Sequence, residues 1–128
     1  MTSPKVFLLD SVGRIGPESA GAVVVSGSHG GTSAAEYVLE VPDRRYPLAC
    51  FFNDAGGGKD DAGIAGLAML DRIGVIAATY SNLSARIGDA ADGRDNGRLS
   101  HLNDRAVAAG LKVGMIMADA LTRLGVDS

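Results

Sequence analysis

The sequence predicts an α/β fold: a three-layer α/β/α domain built on a small, mainly parallel sheet of about four strands. Two observations carry that prediction. Short apolar runs at 6–9, 22–25, 48–52 and 75–80 alternate with segments of helical periodicity. Three Gly-rich polar segments, opening at Ser26, Asn53 and Ser81, each follow one of the last three runs. If the runs are parallel strands, these segments leave one edge of the sheet, and open parallel sheets bind ligands at the carboxyl ends of their strands.

Composition narrows the class. At 128 residues the chain is expected to form one domain, 1–128. Hydrophobic residues make up 46% of it, with no Trp and only three Phe and three Tyr, so Ala, Val, Leu, Ile and Met must build the core. The glycines cluster between apolar runs, which argues for tight turns rather than disorder. The formal charge is −3 and no basic run is interleaved with aromatics, so nucleic acid is not an expected partner. Cys50 stands alone, cannot pair within the chain, and reads as a buried thiol. The apolar run after the polar first residues is too short for a signal peptide, and no stretch is long enough to span a bilayer. No membrane partner and a cytoplasmic location are therefore expected.

Each element follows from local signals. Residues 6–9 form a first strand, and Gly13, Gly16 and Pro17 break the chain after it. About a dozen residues lead to the second strand at 22–25, which allows a hairpin-like link or a short crossover. Ser33 with Glu36 matches a capping box, so a short helix is predicted to about residue 39. The continuous apolar run 48–52 suits a strand covered on both faces. Asp60 or Asp61 is expected to cap a helix through Arg72 that buries Ile64, Leu67, Met69, Leu70 and Ile73. Gly63 and Gly66 weaken that helix and point to a close approach. Gly74 ends it before the strand at 75–80, completing a right-handed βαβ unit. Residues 88–97 read as irregular because of Asp92-Gly93 and Asn96-Gly97. Ser100 is expected to cap a helix over 101–109, and a last helix is expected at about 115–124.

The chemistry-bearing residues sit in the three polar segments. Ser28, His29, Gly30 and Gly31 join a strand to a helix start, where backbone N–H groups and the helix dipole favour an anion. His29 changes charge near neutral pH and is the leading acid–base candidate. The second segment offers Asn53, Asp54 and Lys59. It is not a P-loop, because Asn53 and Asp60 occupy positions that require Gly and Ser or Thr. Asp54, at the strand end, is the better catalytic carboxylate, while Asp60 and Asp61 read as capping charges. The third segment supplies Ser81, Ser84 and Arg86, whose guanidinium can hold a carboxylate or phosphate or pair internally with Asp89 or Asp54. Asp89, Asp92 and Asp95 recur at every third position, which fails the calcium-loop spacing, so no metal is expected. His101 would join the site only if its helix start faces the rim.

Residues 31–35, Gly-Thr-Ser-Ala-Ala, resemble the segment around the nucleophile of subtilisin-like proteases. The chain is far too short for that fold and lacks the Asp and His segments expected upstream, so Ser33 reads as a helix cap. No dinucleotide fingerprint or nucleophile elbow occurs, and no cofactor is expected.

The resulting expectation is a small-molecule enzyme acting on a polar, anionic substrate by hydrolysis or lyase/isomerase-type acid–base chemistry. His29, Asp54, Ser28 and Lys59 would be catalytic, and Gly30, Gly31, Asn53, Ser81, Ser84 and Arg86 would bind substrate. The alternatives are a non-catalytic anion- or nucleotide-binding module and a small subunit of a larger complex. A small sheet with open edges and Ala/Met-rich helices also predicts a homo-oligomer.

Overall fold

The computed structural model describes residues 3–57 and 61–126. Strands β1 (Val6–Leu9), β2 (Val23–His29), β3 (Ala49–Asn53), β4 (Ile76–Tyr80) and β5 (Leu99–Leu102) form one sheet in sequence order. The pairs β1–β2, β2–β3 and β3–β4 are parallel, and β4–β5 is antiparallel. Helices α1 (Thr32–Leu39), α2 (Leu67–Arg72), α3 (Ala90–Asn96), α4 (Asp104–Ala108) and α5 (Met117–Arg123) complete an α/β fold with a five-stranded mixed sheet. Among the described residues no helix is long and apolar enough to cross a membrane.

Side chains alternate across a strand, and the two resulting faces nucleate separate hydrophobic clusters. Val24, Cys50, Phe52 and Ala77 pack with Val12, Ala34, Val38, Leu67 and Leu70. Val23, Val25, Phe51, Ala78 and Tyr80 pack with Leu99, Ala106, Met117, Ala120 and Leu121. Burial of Cys50 in the first cluster pushes its thiol pKa up, so it is an inert apolar group in the native state.

The parallel β1–β2 pair settles the first connection as a crossover, carrying 3₁₀ turns at Val12–Arg14 and Pro17–Ser19. Several expected boundaries are corrected. About four strands were expected and five are found. The fifth takes the start of the helix expected at His101, because Ser100 and His101 lie against β4 instead. Asn103, not Ser100, caps α4, its Oδ1 accepting from the Ala106 amide at 2.9 Å.

Gly31, not Ser33, is the N-cap of α1, and no side chain caps it. Residues 61–66 are turns rather than the start of α2. The carbonyl and amide of Gly63 and Gly66 bond Gly30 there, and that competes with helix continuation. Asp61 has φ 59°, and Asp60 lies outside the described residues. The segment expected to be irregular contains α3, capped by Asp89, whose Oδ1 accepts from the Asp92 amide at 3.0 Å.

Candidate functional site

Because β1 to β4 run the same way, Asp10, His29, Asp54 and Ser81 emerge at one edge of the sheet. In register, His29 faces Asn53, and Asn53 faces Tyr80. The chain leaving β2 also meets the chain entering α2. Gly30 donates its amide to the Gly63 carbonyl at 2.8 Å, and Gly66 donates its amide to the Gly30 carbonyl at 2.8 Å. A side chain at Gly63 would strike the Asp54 carbonyl, and one at Gly66 would strike the Gly31 carbonyl. The small residues exist so that two backbones can touch.

This docking corrects one expectation. The amides of Gly30 and Gly31 were expected to be open to a ligand, but both have partners. That of Gly31 donates to His29 Nδ1 at 3.0 Å. Among the described residues, the amides without a carbonyl partner in the first turn of α1 are those of Thr32, Ser33 and Ala34.

Most of the polar residues expected at the site hold loops together. Asn53 is fully buried; its Nδ2 donates to the Ala85 carbonyl at 3.0 Å and its Oδ1 accepts from the Ala55 amide at 2.8 Å. Asp54 is buried too, and its Oδ1 accepts from the amides of Gly56 at 2.8 Å and Asn82 at 3.0 Å. It ties the loop after β3 to the loop after β4. Ser28 Oγ accepts from the Val12 amide at 2.9 Å, fastening the crossover after β1. Ser81 Oγ accepts from the Leu83 amide at 3.0 Å. Ser84 Oγ donates to the Ser81 carbonyl at 2.7 Å and accepts from the Arg98 amide at 3.0 Å. Lys59 lies outside the described residues.

Two expected residues keep their side chains at the surface: His29 and Arg86. The Gly31 amide at Nδ1 requires that nitrogen to be unprotonated in the neutral ring. The proton then sits on Nε2, so His29 is a hydrogen-bond donor from that atom. The Arg86 amide donates to Asp92 Oδ2 at 2.7 Å, and Asn96 Nδ2 donates to Asp92 Oδ1 at 2.7 Å. These two bonds, with the Arg86 charge, hold the Asp92 carboxyl below its ordinary range. Arg86 thus meets Asp92 through its backbone amide, and among the described residues its guanidinium forms no ion pair with the expected partners Asp89 or Asp54. Among the described residues no three His, Cys, Asp or Glu side chains group as metal ligands.

Beneath the rim, Tyr80 is buried and donates its hydroxyl to the Ser26 carbonyl at 2.6 Å. Burial, and then the nearby carboxylates of Asp89, Asp92 and Asp10, push its pKa up, so it remains a neutral donor.

Sequence reasoning missed how His101 is placed. On β5 it pairs with Thr79 of β4, and its Nδ1 lies 3.2 Å from Thr79 Oγ1 and 3.3 Å from Ser100 Oγ. Thr79 Oγ1 and Ser100 Oγ are 2.9 Å apart. Ser100 and His101 line an open groove of about 790 Å³ between α2, β5 and α4. A Cβ at Gly30 would sit 3.0 Å from Thr79 Cγ2, so the Thr79 of this cluster lies against the docked glycines. No sequence signal marks this cluster, because Leu-Ser-His-Leu is too short and too polar to announce a strand. Comparison of the chain with protein-family models, with curated proteins and with solved structures gave no match.

Proposed function

We propose that the protein is a small-molecule enzyme whose rim site donates a hydrogen bond to an anionic substrate during hydrolysis or lyase/isomerase-type acid–base chemistry. One observation carries this reading. His29 ends β2 at the surface with Nδ1 held by the Gly31 amide, so its Nε2–H is directed away from that contact. A group held this way can donate a hydrogen bond to an oxygen on which negative charge develops, without first reorienting. The first-turn amides of Thr32 and Ser33 and the positive end of α1 attract a carboxylate or phosphate beside it. Arg86, exposed on the loop after β4, adds long-range attraction for the same charge.

Asp54, Asn53, Ser28 and Ser84 then position loops, and Gly30 and Gly31 shape the backbone around His29. Lys59 enters the proposal as a further cation to be tested by Lys59→Ala. The non-catalytic anion- or nucleotide-binding module is favoured by one specific fact. Of the rim groups, Asn53, Asp54, Ser28 and Ser84 are engaged in loop-holding bonds.

The wider reading is one domain, 1–128, in which helices cover both faces of a mainly parallel sheet; the two hydrophobic clusters support it. Exposed Tyr37, Leu83 and Ile87 and the edge strand β1 support a homo-oligomer over a monomer. The absence of a basic run supports partners other than nucleic acid, and the lone buried thiol supports a reducing, cytoplasmic setting.

Thermal-shift measurements across phosphates, dicarboxylates and cyclic amides test the proposal, with each stabilising compound then assayed for turnover. A stabilising anion should be consumed by the native protein and left intact by His29→Ala. Full turnover by that variant removes His29 from the mechanism. Binding without turnover in the native protein establishes the binding module instead.

A further inference from the structure

We propose that the groove between α2, β5 and α4 is a second ligand site, suited to a small organic amine with an apolar body. This goes beyond the rim reading, which concerns an anion at His29. The groove volume of about 790 Å³ falls within the range of small-molecule sites. Its walls include Ile64, Leu67, Leu102 and Val107, and Val107 is well exposed although apolar. Water in such a groove is displaced at a gain by a hydrocarbon or aromatic body.

The polar side of the groove is organised. Thr79 is fully buried and its Oγ1 is within hydrogen-bond reach of Ser100 Oγ and His101 Nδ1. The hydroxyls engage Nδ1, leaving Nε2 as the ring nitrogen for a ligand. With the ring proton on Nδ1, donated to Thr79 Oγ1 or Ser100 Oγ, Nε2 is an acceptor for an ammonium N–H.

Charge decides the ligand class. Among the described lining residues, Asp61, Asp71 and Asp104 supply three carboxylates and Arg72 one guanidinium, and Asp71 Oδ1 already accepts from the Arg105 amide at 2.9 Å. The Arg105 Nε donates to the Asp71 carbonyl at 2.9 Å; counting Arg105 as well leaves three carboxylates against two guanidiniums. A cation is therefore attracted and an anion repelled, the reverse of the site at His29.

The chain has two histidines, so two imidazole Cε1–H signals report the two sites separately in proton NMR. His29→Ala and His101→Ala assign them. Titration with 2-phenylethylamine should move the His101 signal saturably and leave that of His29 in place. Binding should weaken as salt rises. The neutral 2-phenylethanol should bind about fivefold more weakly, the size of effect expected for exposed charges, and phenylacetate should not move the His101 signal.

Val107→Lys adds a like charge at an exposed wall position and should weaken amine binding about fivefold while leaving the unliganded spectrum folded. The proposal is overturned if the amine fails to move the His101 signal. It is equally overturned if phenylacetate binds as well as the amine, or if Val107→Lys binds it unchanged. None of these outcomes bears on anion binding at His29, whose own signal reads that question in the same spectra.

Discussion

The ends of β2 and β3 lie side by side, yet their polar residues do opposite work. At the end of β3, Asn53 and Asp54 are buried and aim their side chains at backbone of neighbouring loops. At the end of β2, His29 is exposed and is gripped at only one ring nitrogen. A strand-end polar residue is thus either mortar or tool. Burial separates the two: a buried side chain must spend its hydrogen-bonding capacity on the protein. The loops after β3 and β4 are pinned from within, and His29 at the end of β2 stays exposed.

The comparison can be broken most forcefully at the contact between the two Gly-rich loops. Gly63→Ala would drive a methyl into the Asp54 carbonyl, and the backbone would have to separate from Gly30. A loss of about 3 kcal/mol in urea unfolding is expected, the upper range for overpacking. Asn53→Ala should cost about 2 kcal/mol in the same measurement, because it strands the Ala85 carbonyl and the Ala55 amide.

Tyr80→Phe should cost about 1 kcal/mol near neutral pH by removing the hydroxyl's bond to the Ser26 carbonyl. Its pH dependence is more telling. The folded-state pKa of Tyr80 is raised, so its contribution is fully present below the ordinary tyrosine range and is lost as pH rises above it. Cys50, also raised by burial, acts in the same direction. Stability should therefore fall on the alkaline side, and Tyr80→Phe should flatten that fall in a pH series of melting temperatures. His29→Ala is expected to have the smallest effect, below about 0.5 kcal/mol, since an exposed ring is removed.

Much of the fold was legible because the hydrophobic code is local. The run at 6–9 is β1, and those at 48–52 and 75–80 each overlap a strand within a residue or so. Residues 22–25 stopped short of the observed strand, since β2 continues through the polar Ser26-Gly27-Ser28-His29 by pairing with its neighbours. Helix α3 was hidden behind Asp-Gly and Asn-Gly pairs that read as turns. Its Gly93 is small because the Tyr80 ring packs against it. Strand β5 was hidden because its partner is β4, and four mixed residues carry no period of their own.

The candidate site divides along the same line. His29 could be singled out from its neighbours in sequence. That Asn53 would be consumed by Ala85, or Asp54 by Asn82, depends on contacts about thirty residues away that no local pattern encodes.

The central claim, that His29 is the exposed working group of a rim whose other polar residues are structural, is tested most directly by comparing two variants in one experiment. Melting temperatures of His29→Ala and Asn53→Ala are measured with and without the anion that most stabilises the native protein. His29→Ala should melt like the native protein alone and gain less from the anion than the native protein does, whereas Asn53→Ala should melt lower and still gain the full shift. If His29→Ala keeps the full anion-induced shift, His29 is not the working group and the division of labour at the rim is wrong.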